Sequence, residues 1–131
     1  MHGSTHDLPV AGEFETPLGT VTLREAEWGD MTVVLENFPA GTDTGPIFKG
    51  LPDDRCQCEH WGYVIKGRLR IRYVDHEETV SAGNAYYMSP GHLPFFDEDI
   101  EVVEFSPKGT YQATMEVAAR NVAAMLEGDA S

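Results

Sequence analysis

Residues 56–67 read CQCEHWGYVIKG, and the interpretation of the whole chain starts from this stretch. Cys56, Cys58 and His60 occupy alternate positions at its beginning, and apolar residues lead to Gly67 at its end. If the stretch enters a β-strand, alternate side chains point to one face, and two thiols and an imidazole lie together. Alternate positions on a straight strand are about 6.6 Å apart, so we expect a bulge or loop entry before His60.

A second stretch supplies another histidine. Residues 86–94 read YYMSPGHLP, and His92 follows directly after a tight Pro-Gly turn. Two cysteines and two histidines can complete a tetrahedral zinc site, whereas three of them plus a water leave the open position that metal catalysis needs. The sequence therefore predicts a metal site, closed or open, formed by Cys56, Cys58, His60 and His92.

The chain between Thr20 and Phe105 has the patterning of short β-strands. Apolar or β-branched residues recur there in short runs separated by turns of Gly, Pro, Asp and Ser, at residues 31–36, 69–73, 78–80, 85–88 and 101–105. Short strands at this spacing are typical of a sandwich or a barrel. Residues 41–55 are rich in Gly, Pro and Asp, and we expect them to form a long loop near the mouth of the barrel.

The apolar period changes after Pro107. Apolar side chains now recur every three or four residues, at Tyr111, Met115, Ala118, Val122 and Met125. This spacing predicts a C-terminal helix over residues 110–127, with Thr110 capping its start and Gly128 its end. The helix would pack on the outside of the barrel or on a second subunit.

The domain organisation is predicted to be simple. The 131 residues are enough for one hydrophobic core, and they contain no internal repeat and no composition shift that would mark a boundary. We therefore expect a single domain over residues 1–131. Residues 1–12 are polar, and we expect them to be disordered.

The first stretch resembles the first metal motif of the cupin superfamily, whose members are small β-barrels that hold a metal ion inside. With Gly67 on the last glycine of that motif, His60 lies at the position of its glutamate. Cys56 then lies at the position of the second histidine and Asp54 at that of the first. The motif's spacing is present, but its ligands are replaced.

The second stretch resembles the second cupin motif. Gly83 matches its opening glycine and Pro90-Gly91 its turn, while His92 lies two residues before the position of the motif's histidine. The resemblance covers residues 45–106. It implies an all-β, single-domain, cupin-type β-barrel of the jelly-roll kind, to which this chain adds the C-terminal α-helix.

The resemblance implies a metal-binding protein and leaves two functions open. Cysteine thiolates favour zinc over other divalent metals, with iron or copper as alternatives. The first function is a small metal-dependent enzyme, such as a lyase, isomerase, hydrolase or dioxygenase, acting on a small metabolite. The alternative is a non-catalytic cupin with a structural zinc or a role in binding or sensing a small ligand. If its side chain points inward, Glu104 is the candidate general base.

Charge and composition limit the partners. Acidic residues number 22 against nine basic ones, giving a formal net charge of −13. Such a chain would be repelled by nucleic acids and by anionic membranes. The sequence has no membrane-spanning apolar run and no apolar signal segment at its start, and its close cysteine pair suits a reducing compartment. We expect a cytoplasmic homodimer that binds a small molecule.

Overall fold

Nine β-strands and a long α-helix make up most of the computed structural model, which describes residues 1–130 without the side chains of 128–130. In chain order the strands are β1 (Val10–Thr16), β2 (Gly19–Trp28), β3 (Met31–Phe38), β4 (His60–Lys66), β5 (Arg68–Arg72), β6 (Glu77–Ser81), β7 (Ala85–Met88), β8 (Leu93–Phe96) and β9 (Ile100–Pro107). The helix is α1 (Lys108–Ala130). Two short 3₁₀ turns, Gly45–Phe48 and Pro52–Asp54, interrupt the loop predicted between β3 and β4.

The strands form two antiparallel sheets. The larger has the order β1-β2-β3-β9-β4-β7, and the smaller has the order β6-β5-β8. Apolar side chains from both sheets pack together in one core, made of Val64, Leu69, Ile71, Met88, Phe96, Ile100 and Val102. The predicted all-β, jelly-roll-like architecture with a C-terminal helix is therefore confirmed, although the two sheets do not close into a continuous barrel.

Gly67 is the point at which the chain leaves the larger sheet for the smaller one. It lies between β4 and β5 with φ of +91°, a backbone conformation that L side chains rarely adopt. A Cβ atom at this position would also collide with the carbonyl oxygen of Asp99. Glycine is therefore required here by both conformation and space.

The N-terminal strand corrects the predicted disorder. Residues 10–12 belong to β1, which pairs with β2 from Val10↔Arg24 to Thr16↔Gly19. The strand was not predicted because Gly12 and two glutamates interrupt the apolar alternation of β1. Most of its residues are also exposed. Pairing with β2, rather than burial of its own side chains, holds this strand in place.

Helix α1 begins two residues earlier than predicted and continues past Gly128. β9 runs directly into it, and the backbone N–H of Lys108 donates to Asp30 O at 3.2 Å. Thr110 therefore lies within the first turn, where its Oγ1 contacts Pro107 O at 3.3 Å, and is not a cap. The predicted apolar stripe lies over the barrel, with Tyr111 and Ala118 buried. Over residues 1–130, no helix is long and apolar enough to span a bilayer.

Truncating the shared core should destabilise the protein. Val64 is completely buried between the sheets, whereas Val74 is 79% exposed. We expect Val64→Ala to lower the free energy of unfolding by about 2 kcal/mol, from lost burial and the cavity left behind. The matched control Val74→Ala should change it by no more than about 0.5 kcal/mol. Urea unfolding followed by circular dichroism measures both, and equal losses would contradict this assignment of the core.

Candidate metal centre

Three of the four predicted ligands converge in the structure. Cys56 lies in the irregular segment before β4, His60 is the first residue of β4, and His92 immediately precedes β8. Their ligand atoms, one sulfur and two ring nitrogens, all lie within 4.8 Å of one another. Cys56 and His92 are 1% exposed, and His60 is half-buried. This spacing is close enough for all three to bind one ion.

Each histidine of this cluster uses Nδ1 for a contact with the protein, which leaves Nε2 for an ion. Nδ1 of His92 lies 2.7 Å from Ser89 O, and because a carbonyl can only accept, Nδ1 carries the proton. Nε2 is then a bare acceptor, and it is buried without a hydrogen-bond partner in the described chain. His60 is held in the same manner, with Nδ1 2.6 Å from Ser106 Oγ and Nε2 3.6 Å from Cys56 Sγ.

This arrangement has the chemistry of a metal site. A buried acceptor without a partner costs about 1–3 kcal/mol, so the bare Nε2 of His92 needs an explanation. Histidines that bind metals characteristically use one ring nitrogen for the ion and the other for a hydrogen bond to the protein. The orphaned nitrogen, the thiol and the second imidazole fit the donor set of such an ion.

Burial sets the protonation of these ligands when no ion is bound. It lowers the pKa of His92 to about 4, with a further contribution from the charge of His60. His92 is therefore neutral at pH 7, which is the form that binds a metal. Burial also raises the pKa of the Cys56 thiol to about 12. Metal binding would have to displace this proton, so metal affinity should increase with pH.

Cys58 is not part of the cluster. Its Sγ lies 3.5 Å from Thr110 Oγ1 in the first turn of α1, and 3.5 Å from Glu59 O. The segment before His60 is irregular, as the sequence predicted, because β4 starts only at His60. Within it the Cys58 sulfur is directed to Thr110 of α1 rather than to the two histidines.

Glu104 points into the interior of the sandwich. The sequence left its direction open, and the structure shows it 5% exposed, with Tyr86 Oη donating a 2.8 Å hydrogen bond to its carboxylate. Glu104 pairs in register with Val34 on β3 and with Gly62 on β4. A Cβ atom at position 62 would collide with the ring of Tyr86, so Gly62 makes the space for this tyrosine.

Glu36 is a site residue that the sequence analysis missed. It lies on β3 and is hydrogen-bonded to Glu104, so that two carboxyl groups share one proton. Burial, and then the charge of Glu104, raises the pKa of Glu36 well above its ordinary value. Burial works in the same direction on Glu104, but the charge of His60 and the hydrogen bonds from Glu36 and Tyr86 outweigh it and lower the pKa of Glu104.

The cluster opens onto a cavity of about 550 Å³ that is lined by residues of both sheets, of the Gly45–Phe48 turn and of α1. Cys56, His60 and His92 line one part of it, together with Glu36 and Glu104. Its volume lies within the range of small-molecule binding sites in proteins. A molecule in this cavity would have access to both the metal ligands and the carboxyl pair.

Comparison with known proteins identifies the fold. A cupin superfamily protein from Desulfitobacterium hafniense is similar to this chain with a TM-score of 0.54 and 9% identity, over 72% of this chain and 83% of that one. The fold is a cupin fold. KdgF from Halomonas sp. is similar with a TM-score of 0.50 and 20% identity, over 73% and 87% of the two chains.

A putative ethanolamine utilization protein, EutQ, from Salmonella typhimurium is similar with a TM-score of 0.52 and 11% identity, over 73% and 76% of the two chains. No protein-family model matches the sequence, and no curated protein matches it either. At these identities the similarity concerns the fold alone.

Asp54, at the position of the first motif histidine, lies outside the cluster. It is exposed and accepts a hydrogen bond from the backbone N–H of Gly50.

The raised pKa of Glu36 gives a prediction for pH dependence. Above the pKa of an unfolded glutamate, the unfolded chain releases a proton that folded Glu36 still holds, so stability falls as pH rises toward the folded pKa. Glu36→Gln has no such proton to lose. Between about pH 5 and about pH 7, metal-free wild type should lose on the order of 1 kcal/mol relative to Glu36→Gln.

Urea unfolding of both proteins across this pH range measures the difference. Glu27→Gln is the matched control, because Glu27 is an exposed glutamate of β2. Parallel curves for wild type and Glu36→Gln would show that Glu36 ionises normally in the folded protein.

Proposed function

We propose that this protein is a metal-binding cupin whose ion is held by Cys56, His60 and His92. The observation that carries the proposal is the bare, buried Nε2 of His92, which has no hydrogen-bond partner over residues 1–127, on a side chain that belongs with Cys56 and His60 to a group of ligand atoms within 4.8 Å of one another. All three ligands line the cavity. The fourth coordination position of the ion would therefore face the cavity and be open to a bound molecule.

Zinc is the metal that this donor set favours. One thiolate and two imidazoles combine a soft ligand with two borderline ones, and zinc sites of three protein ligands with one open position are typical of catalysis. Iron is a weaker candidate with these ligands. The two free cysteines suit the reducing conditions of the cytoplasm, where we place the protein.

Copper deserves a separate test because two histidines and one cysteine also form blue-copper sites, usually with a distant methionine. Met88 is buried and pairs with His60 across β4 and β7. Such a protein would transfer electrons and would need no substrate cavity. The cavity of about 550 Å³ at the cluster therefore favours zinc and a bound small molecule.

The open position and the neighbouring carboxyl pair favour an enzyme. A bound ion of this kind acts as a Lewis acid toward a substrate oxygen. Glu104 supplies a buried carboxylate in the same cavity, and it would accept a proton from the substrate. Tyr86 Oη, at 2.8 Å, and the proton of Glu36 orient that carboxylate. A lyase, isomerase or hydrolase acting on a small molecule needs these groups.

The alternative is a closed, structural zinc in a non-catalytic cupin. It needs a fourth protein ligand, and Cys58 is the natural one in sequence. In the structure its sulfur contacts Thr110 and Glu59 instead, so the open site is the one that the geometry supports. A closed site would require the segment before β4 to rearrange.

The two cysteines therefore provide the decisive pair of variants. We expect wild-type protein, loaded with zinc and dialysed, to retain about one zinc per chain, as measured by inductively coupled plasma mass spectrometry. Cys56→Ser should lower zinc affinity at least about tenfold, because it removes a direct ligand. Cys58→Ser should retain zinc at the wild-type level.

Controls make the outcome of this comparison unambiguous. Circular dichroism on each variant confirms that it is folded, and loading with Cu²⁺ in parallel tests for the intense colour of a blue-copper site. Loss of zinc from Cys58→Ser but not from Cys56→Ser would contradict the assigned ligands. A wild type that retains neither metal would overturn the metal centre itself.

We also propose a homodimer formed through the outer face of the larger sheet. Five large apolar side chains on adjacent strands of that face are exposed by 36–44%: Trp61, Tyr63 and Ile65 on β4, Tyr87 on β7 and Phe105 on β9. Trp61 and Tyr87 contact each other with ring centroids 5.3 Å apart. A contiguous aromatic patch of this kind is characteristic of a protein–protein interface.

A charge placed within this patch should break the dimer. We expect Trp61→Glu to weaken dimerisation at least about tenfold, because it buries a carboxylate in an apolar interface. Val74→Glu, at an exposed position away from the patch, should leave the dimer intact. Sedimentation equilibrium measures both, and a monomeric wild type at tens of micromolar would contradict the proposal.

A further inference from the structure

The cavity beside the metal cluster has an unusual charge. Four glutamates line it, Glu13, Glu25, Glu36 and Glu104, and none of its described lining residues is a lysine or an arginine. Glu104 is buried, Glu25 and Glu36 are half-buried, and Glu13 is exposed. Buried carboxylates normally have a cationic partner, because an uncompensated charge in a protein interior is costly.

Strand register brings three of these carboxylates together. Glu25 on β2 is opposite Val34 on β3, and Val34 is opposite Glu104 on β9. Glu36, two residues along β3 from Val34, lies on the same face of the sheet. The three glutamates therefore occupy neighbouring positions on three adjacent strands, and all three face the cavity.

The proton of Glu36 and the charge of His60 relieve only part of their mutual repulsion, and the described cavity lining contains no lysine or arginine. The charges of Glu104 and Glu25 both act on Glu36, adding to burial in raising its pKa. Glu25 Oε2 accepts a hydrogen bond of 3.1 Å from the hydroxyl of Tyr111, which carries no positive charge. A positive charge placed among the three carboxylates would relieve this repulsion.

A second, independent feature shows that this space is built for a ligand. His92, 1% exposed, lines the same cavity and has an Nε2 without a partner over residues 1–127. Apolar side chains also line the cavity, among them Phe14 and Phe38 of the larger sheet and Met115, Ala118 and Val122 of α1. The cavity thus has a metal-binding part, an acidic part and an apolar part.

We propose that the cavity binds a small organic cation, an ammonium group carried on an apolar body. The ammonium would lie among Glu25, Glu36 and Glu104, where it would donate hydrogen bonds to the carboxylates. The apolar body would pack against the α1 side of the cavity. The inference rests on the proposed function in that the cavity is taken as the substrate site, and it names the class of that substrate.

The same charges exclude other ligand classes. A carboxylate or phosphate in this cavity would meet three glutamates and no lysine or arginine among the described lining residues. A neutral molecule of equal size could fill the apolar part but would gain nothing from the acidic part. Discrimination between matched amine, alcohol and carboxylate compounds therefore tests the inference directly.

Isothermal titration calorimetry of the zinc-loaded protein at pH 7 provides that test, with 3-phenylpropylamine, 3-phenylpropan-1-ol and 3-phenylpropanoate as probes. We expect the amine to bind at least about tenfold more tightly than the alcohol, and the carboxylate more weakly than either. Equal affinity for amine and alcohol, or no detectable binding of the amine at millimolar concentration, would overturn the inference.

Variants show whether the carboxylates are responsible. Glu25→Gln and the double variant Glu36→Gln/Glu104→Gln should each weaken amine binding about tenfold relative to alcohol binding, while Glu27→Gln, at an exposed position on β2, should change neither. If the amine preference survives in both cavity variants, the amine is contacting the metal and the inference is wrong.

Zinc content, measured on the same samples, separates this inference from the proposed metal centre. An amine preference in protein that retains no zinc would support the inference while refuting the centre. One zinc per chain with no amine preference would do the reverse.

Discussion

A short backbone pairing between Cys56 and His92 is the constraint on which the rest of the site depends. The N–H of Cys56 donates to His92 O at 3.1 Å, and the N–H of Gly91 donates to Cys56 O at 2.8 Å. These bonds fasten the end of the long loop to the turn before β8. Because His60 begins β4 only a few residues later, the pairing brings a thiol and two imidazoles together on rigid backbone, which is what a preorganised metal site requires.

The interior of the sandwich has an apolar part that stabilises the fold and a polar part that contains the candidate site. One part is the apolar core shared by the two sheets, in which Val64, Leu69 and Ile71 are completely buried. The other part contains the cysteine, the histidines and the carboxyl pair, and burial raises the pKa values of Cys56 and Glu36 and lowers that of His92. Such groups lower stability unless a ligand or ion compensates them, so the first part must stabilise the fold that holds the second.

Local patterns predicted the strands whose side chains meet the core, because alternation reflects burial on one face. Leu69 and Ile71 on β5, and the apolar residues of β9, follow this rule. The metal cluster was partly predictable for a different reason, since Cys56 and His60 follow the spacing of the first cupin motif and His92 follows the Pro-Gly turn of the second. β1 was not predictable, because pairing rather than burial determines it.

Other features depend on long-range geometry that no local pattern contains. Asp53 and Asp54 have positive φ values in the loop before the first motif, and the sulfur of Cys58 contacts Thr110 of the distant helix α1. The contact of Glu36 with Glu104 depends on the register of β3 against β9, which sets Val34 opposite Glu104. The alternation of Val34 and Glu36 could have suggested that Glu36 points inward, but not which residue it meets.

X-ray absorption spectroscopy of the zinc-loaded wild type tests the central claim most directly, because it counts the ligands around the ion. The account predicts one sulfur near 2.3 Å and two imidazole nitrogens near 2.0 Å, at about the distances typical of zinc, with a light, exchangeable fourth ligand. Two sulfur ligands would indicate that Cys58 also binds the ion and that the site is closed and structural. A shell without sulfur would contradict the assignment of Cys56 and, with it, the metal centre described above.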